Sequence, residues 1–269
     1  MADAAVNPAG QLVLLACLVL PVLGYGLGLR QLHLRGDRWP VGRTVAGAVG
    51  IGCLSAALLF PPARLLPVGA QSFPAHVSEH LLLAMLAPLG LALSAPVTLA
   101  LRTLPRGARD RVLAVVHSRF ARLLTLGPVV LLLDVGGLYA YYLTPLFAAA
   151  ERNAWLHLLL HLHMFLAGCL LSWYLVGRDP LPRPRSARGP LVVLLLAAGS
   201  HDVLAKLMYA HAFPVGADSA AGLRAGAQLL FYGGDVVEIL LAVALLAQWY
   251  ARTGRELRRE QRRMAASPT

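Results

Sequence analysis

The chain of 269 residues has a mean hydropathy of +0.64, and 58% of its residues are hydrophobic whereas only 14% are charged. A soluble domain carries about 25% charged residues, so the composition excludes one and predicts an all-α, polytopic membrane protein. The formal net charge of +11 would suggest a nucleic-acid partner in a soluble protein, but its distribution here indicates membrane topology instead.

Seven segments are apolar over the length that a bilayer requires, which is ~20 residues. They lie at 10–30, 44–62, 75–101, 122–143, 153–176, 190–212 and 226–250. We therefore expect one seven-helix membrane domain over 1–250 and a basic tail over 251–269. The start of the chain has no basic region, so we interpret the first segment as a retained span and not as a cleaved signal peptide.

Basic residues are concentrated in alternate loops. The loops 30–43, 102–122 and 177–189, together with the tail, hold twenty arginines, whereas the other connections hold three. Because cytoplasmic loops are enriched in Lys and Arg, the N-terminus is predicted outside the cell and the C-terminus in the cytoplasm. Anionic lipid headgroups are the expected contacts of the basic loops.

The third segment carries a histidine pair near its start. His76 and His80 are four residues apart and so share one face of a helix. Met85 would lie about 180° from His76, which excludes it as a partner on the same helix. We expect Pro88 and Pro96 to kink this span.

The fourth segment carries Asp134 near its middle. An acid within a span is a candidate functional group or one half of a buried pair. Three tyrosines follow at the predicted outer end, Tyr139, Tyr141 and Tyr142, and we expect them to anchor the membrane interface.

The fifth segment carries three histidines close to one end. His157 and His161 share a helix face with Met164, and His163 points to the other side. An i, i+4 histidine pair can offer two nitrogens to one metal ion. Interhelical hydrogen bonding within a bundle is the alternative interpretation.

The sixth segment carries His201 in its middle, Met208 on the same face, and His211 at the predicted outer end. Asp202 and Lys206 are four residues apart with the acid first, so we expect them to form an ion pair.

The seventh segment carries Asp235 and Glu238 on one face, beside Gly233 and Gly234, which permit close helix approach. The three cysteines, Cys17, Cys53 and Cys169, lie within spans without a C-x-x-C motif and are interpreted as packing residues.

The predicted topology brings histidines from three spans together. Six of the nine histidines would lie in the outer parts of the third, fifth and sixth spans, and His201 near mid-membrane. This convergence favours an intramembrane metal site that is open to the outside. Imidazole with thioether suits copper, whereas imidazole with carboxylate also admits zinc or iron.

Several blocks of the chain match a family pattern over about residues 70–260. They are HVSEHLLLAMLAPLGLALSAPVTLALRTLP, LYAYYLTPLFAAAERNAWLHLLLHLHMFLAGCLLSWYLVGRDP, the HD at His201–Asp202 and the GGD at Gly233–Asp235. In these blocks the chain resembles the seven-span CtaG-type assembly factors of bacterial cytochrome c oxidase. The family's third span is similar to H-M-x-x-H-M, and Val77 and Leu81 stand at the two methionine positions here.

The resemblance implies an accessory protein of the bacterial plasma membrane and not an enzyme. Its expected cargo is copper, as Cu(I), taken up on the outer side, with an extracytoplasmic copper donor protein as a possible source. The expected acceptor is the CuB centre in the catalytic subunit of cytochrome c oxidase. The implied metal ligands are His76, His80, His157, His161, His201 and Asp235. A second tier comprises His163, Met164, Met208, His211, Asp134, Asp202 and Glu238.

Two other functions stay open at this point. A copper permease or resistance protein would need polar groups along a path to the cytoplasm, and the inner halves of the third, fifth and seventh spans are almost purely apolar. A haem-binding redox protein would use histidines as axial ligands and would show a Soret band. A receptor is suggested only by the number of spans.

Overall fold

A computed structural model describes residues 8–59, 72–180 and 188–266, and every regular element in these ranges is helical. The α-helices are α1 (Pro8–Leu34), α2 (Val41–Leu59), α3 (Phe73–His80), α4 (Ala87–Ser94), α5 (Pro96–Thr103), α6 (Arg106–Val116), α7 (Arg119–Leu124), α8 (Gly127–Leu131), α9 (Gly137–Leu143), α10 (Leu146–Arg152), α11 (Ala154–Val176), α12 (Gly189–His211) and α13 (Ala220–Ala266). Two π-helical turns, π1 (Leu81–Leu86) and π2 (Leu132–Gly136), join α3 to α4 and α8 to α9.

Five of the described helical segments are long and apolar enough to cross a membrane: Val41–Leu58, Phe73–Thr103, Ala154–Val176, Gly189–His211 and Ala220–Arg262. A sixth candidate forms if Gly127–Leu143 and Leu146–Arg152, which meet at a bend of 76°, count as one span. Helix α1 occupies the position of the predicted first span, and its side chains before Val19 lie outside the described residues. The protein is thus an all-helical membrane protein, and the count of seven stays a prediction.

The third span is interrupted twice. The π1 turn separates α3 from α4, and Pro88 stands in the first turn of α4. Ala95 then leaves the helix with a φ of 56°, and Pro96 begins α5, so the predicted kink at Pro96 is confirmed. The carboxylate of Asp179 accepts hydrogen bonds from the backbone N–H and the hydroxyl of Thr98, each at 2.6 Å. A side chain beyond the end of α11 therefore caps the first turn of α5.

Two predicted boundaries differ from the structure. The predicted fourth span, 122–143, takes in the end of α7, a separate helix, and the helix that continues into the span begins only at Gly127. Conversely, α13 runs unbroken for 47 residues, about 70 Å at 1.5 Å per residue, through most of the tail predicted at 251–269. That length exceeds the full thickness of a bilayer, about 40–45 Å, so the basic end of α13 projects beyond the membrane.

Three hydrophobic clusters fill the described part of the bundle, and two of them lie at its opposite ends. The first surrounds the start of α3 and the end of α12, and its fully buried members include Phe73, Val77, Leu204, Met208 and Leu230. We call this end of the bundle the histidine end, and it corresponds to the predicted outer side. The second cluster packs the opposite half and includes Leu89, Val130, Leu175, Val193 and Val237.

Candidate functional site

Helix α3 is fixed at its start by a contact across the chain. The backbone N–H of Phe73 donates a hydrogen bond to Oδ2 of Asp218, at 2.9 Å, in the loop after α12. This hydrogen bond, and a second from the N–H of Ser219, lower the pKa of Asp218 because they stabilise its carboxylate. The helix then presents His76 and His80 one turn apart.

Four aromatic rings surround His76. Its ring centroid lies 6.1 Å from Phe73, 5.8 Å from Tyr141, 6.1 Å from Tyr142 and 5.2 Å from Phe147. The Nε2 atom of His76 is buried within this box without a hydrogen-bond partner. Tyr141 and Tyr142 are fully buried, so the prediction that they anchor the membrane interface is wrong: α9 turns them into the bundle against α3.

His80 is buried, and it lacks hydrogen bonds at both ring nitrogens, whereas His76 lacks one at Nε2. Only 4% of the residue is exposed, and neither ring nitrogen has a hydrogen-bond partner. Buried polar groups in proteins are almost always paired, so an imidazole without a protein partner indicates that this site binds water or an ion.

Helix α11 places the second histidine pair beside the first. Asn153 caps the helix by accepting two backbone hydrogen bonds, and the rings of His157 and His161 stack at 4.1 Å. Nδ1 of His161 lies 2.9 Å from the carbonyl oxygen of His157 and must donate to it, because a carbonyl only accepts. In the neutral ring Nε2 of His161 therefore carries the lone pair, and this atom lies 3.8 Å from Oε1 of Glu79. Nδ1 of His157 lies 3.5 Å from Oε1 of Glu151.

Close helix packing brings the two pairs together. The rings of His76 and His161 meet edge to face at 5.8 Å. Further along α11, a Cβ atom on Gly168 would collide with the carbonyl oxygen of Ala84 in π1. Only glycine at this position lets α11 lie so close to the third span.

Two cavities flank this group of histidines. The larger, about 470 Å³, lies between α3, α10, α11 and the loop after α12, and its polar lining includes His76, Glu79, Glu151, Arg152 and His157. The smaller, about 40 Å³, lies one turn deeper, and its polar lining includes His80, Asp134, His163, His201 and Glu238. His76 and His80 therefore face different cavities although they share one helix face.

The smaller cavity also contains thioether groups. Met85 and Met164 line it, Met85 with His80 and not with His76. Nε2 of His163 lies 3.1 Å from the carbonyl oxygen of Leu133, immediately after the start of π2. Both π turns thus lie against this cavity, and such turns are frequent at functional sites.

A separate cluster of acids lies between α12 and α13. Asp202, Asp235 and Glu238 place one carboxylate oxygen each within 4.8 Å of the others. Nδ1 of His201 lies 3.3 Å from Oε1 of Glu238. Among the described residues, no other group of three or more His, Cys, Asp or Glu side chains has its ligand atoms this close together.

The expected ion pair between Asp202 and Lys206 is not formed. The ammonium group of Lys206 instead lies 5.2 Å from the ring centroid of Phe231 on α13, in a cation–π contact. The side chain of Lys206 is exposed on the bundle surface, and Oδ1 of Asp202 is buried without a hydrogen-bond partner.

The structure divides the six first-tier residues into two groups. His76, His80, His157 and His161 lie together at the histidine end, and His201 and Asp235 belong to the interface of α12 and α13. Among the second tier, Met208 is fully buried in the hydrophobic core, and His211 is exposed at the end of α12. The remaining five line the smaller cavity or belong to the acid cluster: His163, Met164, Asp134, Asp202 and Glu238.

Sequence reasoning missed several residues that shape the site. Asn153 precedes an apolar run, which is a recognisable capping signal. Asp179 and Asp218 cap helices that are distant in sequence, so no local pattern identifies them. Glu79 and Glu151 acquire their roles only through their neighbours across helices.

The fold and the cavities define a class: a polytopic helical membrane protein with buried histidines and carboxylates grouped toward one end. A sequence model of the cytochrome c oxidase caa3 assembly factors, Caa3_CtaG, matches residues 23–252. The chain belongs to this family of cytochrome c oxidase assembly factors.

The chain is similar to proteins of three mycobacteria. Proteins named as uncharacterized in Mycobacterium bovis and Mycobacterium tuberculosis are 31% identical over 264 residues, which is 91% of this chain and 39% of each relative. A protein of Mycobacterium leprae, also named as uncharacterized, is 31% identical over 260 residues, or 89% of this chain. The chain spans about two fifths of the length of these relatives. No solved structure matches the chain.

Proposed function

We propose that this assembly factor binds Cu(I) through the histidines at the histidine end and passes it to the CuB centre of an oxidase catalytic subunit. The observation that carries the proposal is the convergence of two i, i+4 histidine pairs with unpaired buried nitrogens. Nε2 of His76 and both nitrogens of His80 have no hydrogen-bond partner. A soft cation that accepts imidazole ligands would satisfy one nitrogen of each ring, the one that carries the lone pair.

The larger cavity supplies a route for the ion. Two carboxylates, Glu79 and Glu151, line it next to His76 and His157. Acidic groups at the mouth of a low-dielectric cleft raise the local concentration of cations. The ion would meet His157 and His76 first, since these line the larger cavity, and His80 last, since it lines the smaller cavity one turn deeper. This order requires the histidine end to face outward in the bacterial plasma membrane, as the charge distribution of the loops predicts.

The partners follow from the same proposal. An extracytoplasmic copper protein would supply Cu(I), and the oxidase catalytic subunit would receive it within the membrane. The role is that of a metallochaperone and not of an enzyme, because the ion is transferred unchanged.

Copper binding is tested with detergent-purified protein, Cu(I) and a chromophoric competitor. We expect about one tight Cu(I) at the histidine end, and at least tenfold weaker binding in His80→Ala and in His157→Ala. The matched control is His117→Ala, because His117 is exposed after the end of α6 and lines neither cavity. Unchanged copper affinity in both site variants would reject copper binding by these histidines.

Delivery is tested in cells that lack the gene. The oxidase purified from such cells should contain haem but less copper at CuB, and the wild-type protein should restore it. The His80→Ala variant, expressed at the same level, should not. Full copper occupancy without the protein would reject the delivery step while leaving copper binding intact.

A further inference from the structure

We propose that the carboxylates of Asp202, Asp235 and Glu238 form a second metal site, which binds a divalent cation of the Mn²⁺, Fe²⁺ or Zn²⁺ class. His201 completes the site from α12. Its ligands are not those of the proposed copper site, although His201 and Glu238 line the smaller cavity together with His80, and the inference goes beyond the proposed function.

The distances between these side-chain atoms are close to those between ligands of one metal ion. Ligand atoms bonded to one ion at about 2.1 Å lie between about 3 and 4.2 Å from one another. Nδ1 of His201 and Oε1 of Glu238 are 3.3 Å apart, which is already such a distance. The three carboxylate oxygens lie within 4.8 Å of one another, so side-chain movements of less than about 1 Å would bring all three into contact with one ion.

His201 is a second and independent indication of a ligand. Only 5% of its side chain is exposed, and neither ring nitrogen makes a hydrogen bond of good geometry. The ring is pressed against α13, where a Cβ atom on Gly234 would collide with it. Oδ1 of Asp202, on the same helix, is also buried without a hydrogen-bond partner. All three atoms, the two ring nitrogens of His201 and Oδ1 of Asp202, therefore lack the partner that buried polar groups require.

The charge of the cluster also calls for a cation. Three carboxylates lie within one 4.8 Å group on apolar helices, where uncompensated charge is expensive. The basic side chain nearest in sequence, Lys206, makes no ion pair with Asp202 and packs on Phe231. A divalent ion would neutralise most of the negative charge. Protons shared among the carboxylates would be the other means, and the experiment distinguishes the two.

The donor atoms indicate the class of ion. Three carboxylate oxygens and one imidazole suit Mn²⁺, Fe²⁺ or Zn²⁺, whereas Cu(I) prefers imidazole and thioether groups. Mn²⁺ is the discriminating probe, because among these ions it has the lowest affinity for nitrogen ligands and so competes least at the histidine end.

The experiment uses the full chain, purified in detergent and stripped with a chelator. Mn²⁺ is added, and the free ion is measured by its electron paramagnetic resonance signal. We expect saturation at about one Mn²⁺ per chain and at least tenfold weaker binding in Asp235→Asn and in Glu238→Gln. The control Asp110→Asn removes an exposed acid on α6 and should bind Mn²⁺ as the wild type does. His157→Ala should also bind Mn²⁺ normally.

The outcomes separate this site from the copper site. Copper binding that persists in Asp235→Asn shows that this variant is folded, and loss of Mn²⁺ binding alone then supports the second site. Absence of saturable Mn²⁺ binding to the wild type, or equal binding by both acid variants, overturns the proposal and favours shared protons. If the acid variants do not fold, the variant His201→Gln takes their place in the Mn²⁺ titration. The Tm of the wild type is then also measured with and without Mn²⁺, and a Tm that Mn²⁺ does not raise overturns the proposal. If the wild type does not bind Cu(I), the proposed function is rejected and the Mn²⁺ test is unaffected.

Discussion

The contact between α11 and the third span leaves no room for a side chain at Gly168. A Cβ atom there would touch the carbonyl oxygen of Ala84 and would lie 3.0 Å from its carbonyl carbon and 3.2 Å from Cγ of Pro88. Ordinary carbon contacts begin near 3.5 Å. Because the obstacle is helical backbone, it cannot rotate away, and α11 must shift as a unit in Gly168→Ala.

The expected cost follows from two opposing effects. Overpacking a buried site costs about 1–3 kcal/mol, and we expect the upper part of this range because backbone is involved. Replacing glycine by alanine within a helix returns up to about 1 kcal/mol. The net destabilisation is about 1–2 kcal/mol, which for a chain of this size lowers Tm by about 2–8 °C. Copper affinity should fall as well, since α11 carries His157 and His161.

The assay is thermal unfolding of the detergent-purified protein, with Gly199→Ala as the matched control. Gly199 lies within α12, and a Cβ atom there meets nothing within 4 Å. Its Tm should stay constant or rise by up to about 4 °C. If Gly168→Ala is as stable as Gly199→Ala, the packing argument is refuted. If its Tm falls and its copper affinity is unchanged, the position of α11 does not control the copper site.

Three further predictions concern capping and topology. Asp179→Ala should lower Tm by about 2–8 °C, because it removes the cap on α5, which is worth about 1–2 kcal/mol. An equal fall of Tm in the control Asp110→Ala would contradict this prediction. Because hydrogen bonds lower the pKa of Asp218, its stabilising effect exists above the unfolded-state pKa of about 3.9 and is lost as the pH falls through the folded-state value. The Tm difference between wild type and Asp218→Asn should therefore shrink on acidification below about pH 4, and a constant difference would rule out this linkage. In a chain without its native cysteines, Gly216→Cys should react with an impermeant thiol reagent in intact cells and Glu256→Cys only after lysis, whereas the reverse would invert the topology.

Local sequence was sufficient for the class of protein and for its helices. Long apolar runs require helices in a bilayer, because only a helix satisfies the backbone hydrogen bonds within one segment. The same periodicity placed His157 and His161 on one helix face, where their rings stack at 4.1 Å. Blocks of sequence such as that from Leu138 to Pro180 identified the family, and the match over residues 23–252 confirms it.

Tertiary structure decided which of these groups meet. His76 and His80 share a helix face, yet they line different cavities, because the helices packed against α3 divide the space between them. Lys206 packs on a ring of the neighbouring helix and not on the acid in its own helix, because side-chain partners depend on distances between helices. Sequence spacing fixes the direction of a side chain on its own helix, but the position of the next helix depends on close contacts such as that of Gly168 with Ala84.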